Sequence, residues 1–575
     1  MSLRVVTAGL WPKQDRTDMG FNLTALSTRR SVIAQMGCGV AALLHPRSSS
    51  GASHRISAEQ AKGYVREAQS TQSTEERSPN TGIPGVMVSN GRDVTITDDM
   101  GFWTLPVESG DSIFVIKPPN WTYVQTSGIP QFSYLHQPGG TPRHLNLNGP
   151  VLDATGALPQ EITFFLKAEA EPQHFDVLLV ADTQAANAAE LAYVRKELLA
   201  HTRGTGARFA INHGDVMGDD LSLLAEYRDI VSETGIVWHH CPGNHDLNLD
   251  SPGPAFACES WKRFIGPTHY AFQHAGATFI LLNNIDYLGR GAALPNGRAY
   301  RGSFGERQLA FVQNVLKHVP VDQLVVVSMH IPMVSFESPD NPSDMTVDRR
   351  QLLALLAERP NTLSFAGHSH TTEHHYLGPD DGFARATPHH HHVLTAFCGC
   401  WWGGPHDDRG IPVADSRDGS PRGFHILSVR GNTYTTKFVP VAVANDRDLR
   451  VILHNPESSI PKAGRPLADE MLERPHLLVD VFDGGPRTRV TCEVEGQSGL
   501  CFELSRSRIP DPYIVHSFAN NREHLKPWVE ASVSSHIWTA PIPGALLSGS
   551  HSCSIRVVTE YGDEHHRAYT LTAGT

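Results

Sequence analysis

The sequence predicts an α/β protein in which a central α/β domain is flanked by two small all-β domains. Three observations predict this organisation. In the middle of the 575-residue chain, apolar runs of strand length alternate with segments of helical periodicity, as in βαβ units. On either side, short β-rich runs alternate with Gly, Asn and Pro turns. Polar residues also follow the ends of five central strands, the edge at which ligands gather in open α/β sheets.

Residues 1–53 are predicted to be a signal peptide of the twin-arginine type. Arg29 and Arg30 precede an apolar run at 32–44, and a small polar tract follows at 48–53. A chance arginine pair in a mobile terminus is the alternative. The apolar run is shorter than the roughly 18 to 20 residues of a spanning helix. We therefore expect an exported protein, periplasmic, extracellular or at the cell surface, with no transmembrane helix in the mature chain.

The first β domain is predicted at 81–168, after a linker or surface helix at 54–80 that is polar with a weak helical pattern. Its β-rich runs at 86–88, 94–96, 102–105 and 113–116 are separated by hairpin signals such as Asn90-Gly91. These runs predict a small β-sandwich. The stretch 85–106 resembles the transthyretin-like or regulatory-type domains found beside many secreted enzymes.

The α/β domain is predicted at 169–442. Its predicted strands are 175–181, 208–212, 236–241, 324–328 and 363–366, and its predicted helices are 188–201 and 221–232.

The second β domain is predicted at 443–575, with strands at 477–482, 489–494 and 555–559. Of the eight cysteines, cleavage of the signal would remove Cys38 and leave an odd number, so a fully paired disulfide framework is excluded. The glycine-rich turn at 496–499 favours a bridge between Cys492 and Cys501. Buried free thiols are an equally open reading for the other cysteines.

The formal charge of -12 and the pI near 6.2 speak against a general nucleic-acid binder, because such a protein presents a basic domain or stripe. The histidine tract 389–392 is predicted to be an exposed loop and not a ligand cluster, although His-rich tracts can bind metal. His374 and His375 are likewise predicted to lie at the surface.

Five short motifs between residues 182 and 370 supply the donors for a pair of divalent ions. Two carboxylates, three histidines, one Asn and one Gln give mixed oxygen and nitrogen ligands, and His245 remains for acid–base work. Two divalent ions bring a charge of about +4 and the carboxylates return about -2, so the site attracts an anion. The predicted ligands are Asp182, Gln184, Asp215, Asn244, His330, His368 and His370.

Asp-x-Gln, Gly-Asp, Gly-Asn-His-Asp, a lone His and Gly-His-x-His in this order resemble the calcineurin-like metallophosphoesterase superfamily, over roughly 175–440. The flanking β regions resemble the partner domains of one bacterial branch. The resemblance implies a β-sandwich core of αββα type. It also implies hydrolysis of phosphomonoesters or phosphodiesters by attack of a metal-bridging hydroxide.

The resemblance further implies a role for each ligand. Asp182, Gln184 and His370 would bind the first ion, Asn244, His330 and His368 would bind the second, and Asp215 would bridge both. His245 would protonate the leaving oxygen or stabilise charge on the phosphoryl group, and Asp246 would orient its imidazole. Asp219 and Asp220 are expected to cap the helix at 221–232.

Gln184 departs from the commonest family pattern, which has a His at this position. Its amide oxygen is a harder and less basic donor than imidazole, so we expect manganese, iron or magnesium in preference to zinc at the first site.

The substrate contacts are expected in the loop after the last ligand motif. Trp401, Trp402 and Arg417 could form an aromatic wall and a cationic contact for a small-molecule or lipid-linked phosphoester. Packing of the tryptophans against the sheet or a domain interface is an equally open reading.

Two other functions remain open. One is hydrolysis of the pyrophosphate bond in nucleotide-sugar or lipid-linked substrates, and the other is surface binding by a catalytically inactive metal fold.

Overall fold

In the computed structural model of this protein, the described residues are 59–68, 81–126, 129–441, 448–455, 474–496 and 500–572. The predicted signal peptide at 1–53 lies outside these residues. Within the described part of the chain, no helix has the length and apolar character needed to cross a membrane.

The first β domain consists of two four-stranded sheets in the orders β4–β1–β10–β6 and β3–β2–β5–β9, with a two-stranded hairpin of β7 and β8. Alternating apolar residues of both sheets, such as Val65, Trp103 and Phe114, fill its interior. The strands are β1 Glu59–Glu67, β2 Met87–Ser89, β3 Val94–Ile96, β4 Phe102–Val107, β5 Ser112–Ile116, β6 Trp121–Tyr123, β7 Gln125–Thr126, β8 Ile129–Pro130, β9 Ser133–Leu135 and β10 Ile162–Ala168.

The predicted linker or surface helix at 54–80 is wrong at its centre, because Glu59–Glu67 form strand β1 between β4 and β10. Ala61 and Val65 are completely buried and alternate with more exposed residues. The strand is short of apolar residues and its two neighbours supply the packing, so the local pattern did not reveal it.

The α/β domain contains two mixed sheets, β13–β12–β11–β22–β23 and β14–β15–β18–β19–β21–β20. Its elements are β11 His174–Val180, α1 Ala188–Thr202, β12 Phe209–Asn212, α2 Leu224–Glu233, β13 Val237–His240, α3 Glu259–Phe264, β14 Tyr270–His274, β15 Ala277–Leu281, β16 Ile285–Tyr287, β17 Tyr300–Gly302, α4 Gly305–Leu316, β18 Leu324–Ser328, α5 Arg349–Leu356, β19 Thr362–Ala366, β20 Glu373–Leu377, β21 His389–Val393, β22 Gly423–Arg430 and β23 Thr433–Pro440.

The two faces of strand β11 pack in different directions. Val177 and Leu179 belong to the cluster shared with the six-stranded sheet, whereas Leu178 and Val180 pack with residues of helices α1 and α2. Helices α4 and α5 bury their apolar faces in the cluster that contains the six-stranded sheet. Strands buried on both faces read as continuous apolar runs, and this explains why the sequence located β11, β12, β18 and β19 to within two residues at each end.

The C-terminal region forms a seven-stranded antiparallel sheet, β24–β25–β28–β27–β26–β29–β30, around its own apolar core. It also contains a helix, which the expectation of an all-β domain did not include. Asp511 caps this helix by accepting a hydrogen bond from the Tyr513 N–H at 2.8 Å, and Pro512 occupies its first position. The elements are β24 Leu449–His454, β25 His476–Val481, β26 Arg489–Val494, β27 Cys501–Ser507, α6 Pro512–Asn520, β28 Ile537–Pro541, β29 Ser550–Val558 and β30 Glu564–Thr572.

The predicted Cys492–Cys501 bridge is wrong. Cys492 pairs with Phe502 across β26 and β27, and Cys501 pairs with Glu493. The two cysteines are therefore one position out of register, which directs their side chains to opposite faces of the sheet. Cys492 is buried, Cys501 is exposed, and both are free thiols.

The histidine tract is buried, contrary to the predicted exposed loop. It forms strand β21 inside the six-stranded sheet, and none of His389–Val393 is more than 3% exposed. His389 and His391 both contact the Ser364 hydroxyl, at 2.7 and 2.8 Å. Burial lowers the pKa of His389 to about 3, so its neutral imidazole fits an interior position. His374 is buried as well and His375 is half-buried, so the expected surface positions are also wrong.

Candidate metal centre

Five strands deliver the predicted ligands to one end of the two sheets, as the sequence predicted. Strands β11, β12 and β13 pair in parallel, as do β18 and β19. Parallel neighbours end at the same edge, so the loops that follow them lie together. Asp182 and Gln184 follow β11, Asp215 follows β12, Asn244 and His245 follow β13, His330 follows β18, and His368 and His370 follow β19.

Asp215 lies at the centre of these side chains. Its Oδ1 is 3.2 Å from His330 Nε2, and its Oδ2 accepts a hydrogen bond from the Gln184 amide at 3.3 Å. His330 Nε2 is also 3.1 Å from Asn244 Oδ1 and 3.2 Å from His368 Nδ1. Ligand atoms of Asp215, His330 and His368 all lie within 4.8 Å of one another.

Asp182 and His370 complete the group on the other side. Asp182 accepts hydrogen bonds from the His368 N–H at 3.0 and 3.1 Å, and its Oδ1 is 3.7 Å from His370 Nε2. All seven predicted ligands are thus linked by short contacts in a single cluster.

Five of these ligands have left-handed backbone conformations, which non-glycine residues rarely adopt. The φ angles are 52° at Asp182, 39° at Gln184, 47° at Asp215, 77° at His368 and 54° at His370. Each such residue costs of order 1–3 kcal/mol and persists only where the surroundings enforce it. The strain turns the side chains off the strand axes and into the common cluster.

Two motif glycines are required by close packing. A Cβ on Gly243 would lie 2.1 Å from the Asp215 backbone nitrogen, and a Cβ on Gly367 would lie 2.5 Å from Asp182 Oδ2. These glycines let neighbouring loops approach the two carboxylates closely.

The buried charges perturb one another strongly. Burial raises the pKa of Asp182 to about 7, assisted by the like charge of Asp215. Burial alone would also raise the pKa of Asp215, but His330 and His245 hold it well below its usual range. Burial would lower the pKa of His330, yet the Asp215 carboxylate raises it to about 9. Two buried carboxylates this close together remain ionised only when nearby cations stabilise their charges.

The donor set suits divalent metal ions. His330 Nδ1 contacts the His213 carbonyl at 2.8 Å, and His370 Nδ1 contacts the Gly399 carbonyl at 2.6 Å. Each Nδ1 can donate to its carbonyl, which leaves Nε2 as a lone-pair donor toward the cluster. Outer hydrogen bonds of this kind orient metal-binding histidines. We therefore find the residues suitable for holding the ions.

Asp246 does not contact the His245 imidazole, so its predicted orienting role is wrong. Its carboxylate accepts hydrogen bonds from the N–H groups of Val216, Met217 and Gly243, at 3.1, 2.9 and 2.8 Å. The adjacent position in sequence was misleading because Asp246 is buried below the loop while His245 points outward.

The carboxylate that contacts the His245 imidazole belongs to Asp219 and not to Asp246. Its Oδ1 lies 2.7 Å from His245 Nδ1. Of the two aspartates that were expected to cap the helix, Asp220 caps the following turn by accepting a hydrogen bond from the Ser222 N–H at 3.1 Å. Burial alone would lower the pKa of His245, but Asp215 and Asp219 raise it to about 9. The only sequence signal for this role was the closeness of Asp219 to the Gly-Asp motif.

A pocket of about 520 Å³ opens over the cluster. Trp401 lines it and stacks on His370 at 4.1 Å, whereas Trp402 is buried and donates its indole N–H to the Thr183 carbonyl at 3.0 Å. The expected contact of Trp402 with substrate is therefore wrong, and packing was the correct alternative for this residue. Arg417 lines the pocket with its guanidinium paired to Glu337 at 3.0 Å.

The second tryptophan of the pocket comes from the C-terminal region. Trp528 is 61% exposed and meets Trp401 edge-on at 6.4 Å, with Lys526 beside it. Both residues line the pocket. No local motif marks either residue, so sequence reasoning missed them.

Comparison with known proteins adds a family match. The model of the family described as "C terminal of Calcineurin-like phosphoesterase" matches residues 391–565. This span starts in β21, after the last ligand motif, and includes the Trp401 loop and most of the C-terminal sheet. No curated protein matches the sequence.

Two solved structures are among those similar to this chain. One is a purple acid phosphatase from yellow lupin (Lupinus luteus) seeds, with 12% identity, a TM-score of 0.33 and coverage of 62% of this chain and 67% of that one. The other is a metallophosphoesterase from Sphaerobacter thermophilus, with 14% identity, a TM-score of 0.19 and coverage of 46% of this chain and 88% of that one.

The motif order resembles the calcineurin-like metallophosphoesterase superfamily, and the family match over residues 391–565 agrees with that resemblance. The match supports a metal-dependent phosphoesterase in general.

Proposed function

We propose that this protein is a binuclear metal-dependent phosphoesterase that hydrolyses phosphomonoesters or phosphodiesters outside the cytoplasm. The observation that carries the proposal is the convergence of Asp182, Asp215 and five neutral donors at one edge of the sheets, with His245 beside them. The exported location rests on the twin-arginine pattern of the sequence.

The proposed ligand roles follow the family pattern. Asp182, Gln184 and His370 hold the first ion, and Asn244, His330 and His368 hold the second, with Asp215 shared between them. When bound, the ions supply positive charge for the phosphate group and activate the attacking water. The Gln184 amide nitrogen lies 3.3 Å from Asp215 Oδ2. Exchanging the amide nitrogen and oxygen by rotation of the amide group places the oxygen on this side, where it can act as a metal ligand.

His245 has the position of a general acid. Its side chain is 30% exposed, lines the pocket and is held through Nδ1 by Asp219. Nε2 is therefore available to give a proton to the leaving oxygen. In the metal-free protein, Asp215 and Asp219 raise the pKa of this imidazole to about 9, which favours its protonated form.

The aromatic wall formed by Trp401 and Trp528 indicates where the leaving group binds. Two tryptophans that meet edge-on beside the cluster offer ring faces to an aromatic group, a sugar or a lipid head group. We propose a small-molecule or lipid-linked ester whose alcohol part contacts this wall.

Hydrolysis of a pyrophosphate bond is a second candidate, favoured by one observation. Arg298, Arg417 and Lys526 line the same pocket, so a second phosphate group would meet cationic side chains there. Phosphorus NMR of the products separates the two reactions, because pyrophosphate cleavage gives two monophosphate signals, whereas ester cleavage gives inorganic phosphate or a single monoester.

The decisive test is turnover of a panel of aryl phosphate monoesters and diesters by Asp182→Asn and His368→Ala. We expect each variant to lose more than about 100-fold in kcat/KM, because loss of a ligand exceeds the 10- to 100-fold effect of an outer contact. Asp176→Asn is the matched control, since Asp176 lies on the same strand β11 and its carboxylate accepts a hydrogen bond from the Ser428 hydroxyl at 2.7 Å. Full activity in both site variants would overturn the assignment. Stoichiometric metal without any hydrolysis would instead support an inactive binding protein.

Gln184 gives the proposal a metal-specific prediction. With metal-free protein, we expect manganese, iron or magnesium to activate the wild type better than zinc. Gln184→His should shift the preference toward zinc, because imidazole is a softer and more basic donor. Activity measured with each ion in turn tests this. Zinc as the best activator of the wild type, but not of Gln184→His, would contradict it.

A further inference from the structure

A second histidine cluster lies away from the pocket described above. The Nε2 atoms of His374, His392 and His425 surround Oδ1 of Asp483 at 3.1, 2.9 and 3.0 Å. Ligand atoms of His392, His425 and Asp483 all lie within 4.8 Å of one another. None of these four residues lines the catalytic pocket.

The cluster joins three parts of the fold. His374 lies on β20 and His392 on β21, both in the six-stranded sheet, whereas His425 lies on β22 in the five-stranded sheet. Asp483 follows β25 of the C-terminal sheet. The site is therefore assembled only when both sheets of the α/β domain and the C-terminal domain are in place.

The cluster is almost completely shielded from solvent. The three imidazoles are 0% exposed and the Asp483 side chain is 11% exposed. Burying an ionised carboxylate is costly unless it is paired or binds a metal. Asp483 adopts a left-handed backbone conformation with φ of 67°, a strain that points its carboxylate at the three rings.

A further histidine orients the cluster from outside. His374 Nδ1 is 2.9 Å from His390 Nε2, and His390 Nδ1 is 3.0 Å from the Tyr434 hydroxyl. This chain of contacts fixes the ring of His374 with Nε2 toward Asp483, in the way that outer partners fix metal-binding histidines.

We propose that His374, His392, His425 and Asp483 bind one structural zinc ion. Imidazoles and a carboxylate are a ligand set that suits zinc. The ligand atoms of His392, His425 and Asp483 lie close enough together for one ion, and His374 Nε2, 3.1 Å from Asp483 Oδ1, supplies the fourth ligand of a closed structural site. The net charge of the loaded site is about +1, with the imidazoles in the neutral form that binds metal.

A path to the site exists on the side of Asp483. A cavity of about 480 Å³, lined by Phe438, Asp483 and Tyr561 among others, opens between β23 and the C-terminal sheet. The cavity gives an ion access to the Asp483 carboxylate. The ion would then tie the C-terminal domain to the two core sheets.

The test uses full-length protein in which the catalytic centre is disabled by Asp182→Asn with His368→Ala. After zinc loading and dialysis, elemental analysis should find one zinc per chain in this double variant. Addition of Asp483→Asn or His392→Gln should reduce the zinc at least tenfold. His375→Gln is the matched control, because His375 follows His374 on β20 and contacts Glu373 instead of the cluster. It should leave the zinc content unchanged.

X-ray absorption of the zinc-loaded double variant provides a readout that needs no cluster variant to fold. The expected spectrum shows four nitrogen or oxygen ligands at about 2.0 to 2.1 Å and no sulfur. No retained zinc in the double variant, a sulfur ligand, or undiminished zinc in both cluster variants would overturn the site. Each result would point to a metal-free cluster of hydrogen bonds or to zinc bound elsewhere. None of these readouts depends on hydrolysis, so the proposed phosphoesterase activity can fail or hold independently.

Discussion

At the scale of single residues, the candidate metal centre shows that closeness in sequence does not decide which groups interact. Asp246 is bonded to His245 along the chain, yet its carboxylate is buried among backbone N–H groups. Asp219, 26 positions away, reaches the imidazole instead. His245 and Asp246 point to different sides of the loop because the backbone turns between them. A position next to a histidine in the sequence is therefore a poor guide to the residue that contacts its imidazole.

Asp219 is expected to be a positioning residue for His245. Asp219→Asn should lower kcat by about 10- to 100-fold with a smaller change in KM, the range found for outer partners of working groups. The loss of a neighbouring negative charge also lowers the pKa of His245. The limb of the pH–rate profile on which His245 loses its proton should therefore move to lower pH.

The pH profile of kcat for wild type and Asp219→Asn checks this prediction. Asp220→Asn is the control, since Asp220 contacts Ser222 and not His245. A profile that does not move, with kcat unchanged, would remove Asp219 from the mechanism.

At the scale of elements, the loops after β12 and β13 act as one unit. Asp246, in the loop after β13, accepts hydrogen bonds from the N–H groups of Val216 and Met217 in the loop after β12. It also accepts a hydrogen bond from the N–H group of Gly243 in its own loop. These bonds fix the distance between Asp215 and Asn244. The strand ends determine which loops meet, and the carboxylate determines how closely they meet.

Asp246→Ala should therefore loosen both loops. Three buried N–H groups would lose their acceptor, and each unsatisfied group costs about 1–3 kcal/mol. Urea unfolding should show a loss of at least about 2 kcal/mol, on the scale of the same principle, and metal affinity should fall with it. Asp220→Ala removes one exposed cap in the neighbouring turn and should cost roughly 1 kcal/mol or less. Equal stability and metal affinity in the two variants would contradict this account of the loops.

At the scale of the whole molecule, one buried carboxylate ties the first β domain to the core. Glu171 accepts hydrogen bonds from Lys117 and the Asn120 N–H in the β domain, at 2.5 and 2.9 Å, and from the Ala275 N–H in the core, at 2.6 Å. Its side chain is 4% exposed and that of Lys117 is 7% exposed. Burial alone would raise its pKa, but His274 and Lys117 lower it to about 2.

Glu171→Gln should destabilise the protein by about 3–5 kcal/mol at neutral pH, because it leaves the Lys117 ammonium buried without a partner. A depressed carboxylate pKa stabilises the fold above the unfolded value of about 4.5 and loses this contribution as the pH falls toward about 2. The stability difference between wild type and variant should shrink over that window. Urea unfolding at several pH values measures it, with the exposed Glu169→Gln as control. A difference that stays constant between pH 5 and pH 2.5 would contradict the assigned linkage.

The predictable part of this protein is the part with local signals. Strands such as Leu324–Ser328 and Val94–Ile96 were located correctly, since buried apolar runs and hairpin turns are read directly from the chain. The ligand loops were found from their motifs. Their convergence was predictable because parallel neighbouring strands end at the same edge of a sheet. Strand β1 was missed because its packing comes from strands far along the chain. Helix α6 was missed although Asp511 and Pro512 form a local start signal, because the region was expected to be all β.

The sequence by itself predicted a central α/β domain with β-rich regions on either side, the order of the ligand motifs and the strand ends at which they meet. Only the tertiary structure decided that Asp219 holds His245, that Trp528 completes the pocket, and that the histidine tract lies inside β21 against Asp483. The physical reason is the range of the interactions. Hydrophobic periodicity depends on residues that are close together in the sequence. The contacts of a polar side chain depend instead on which distant loop the fold brings within hydrogen-bonding distance.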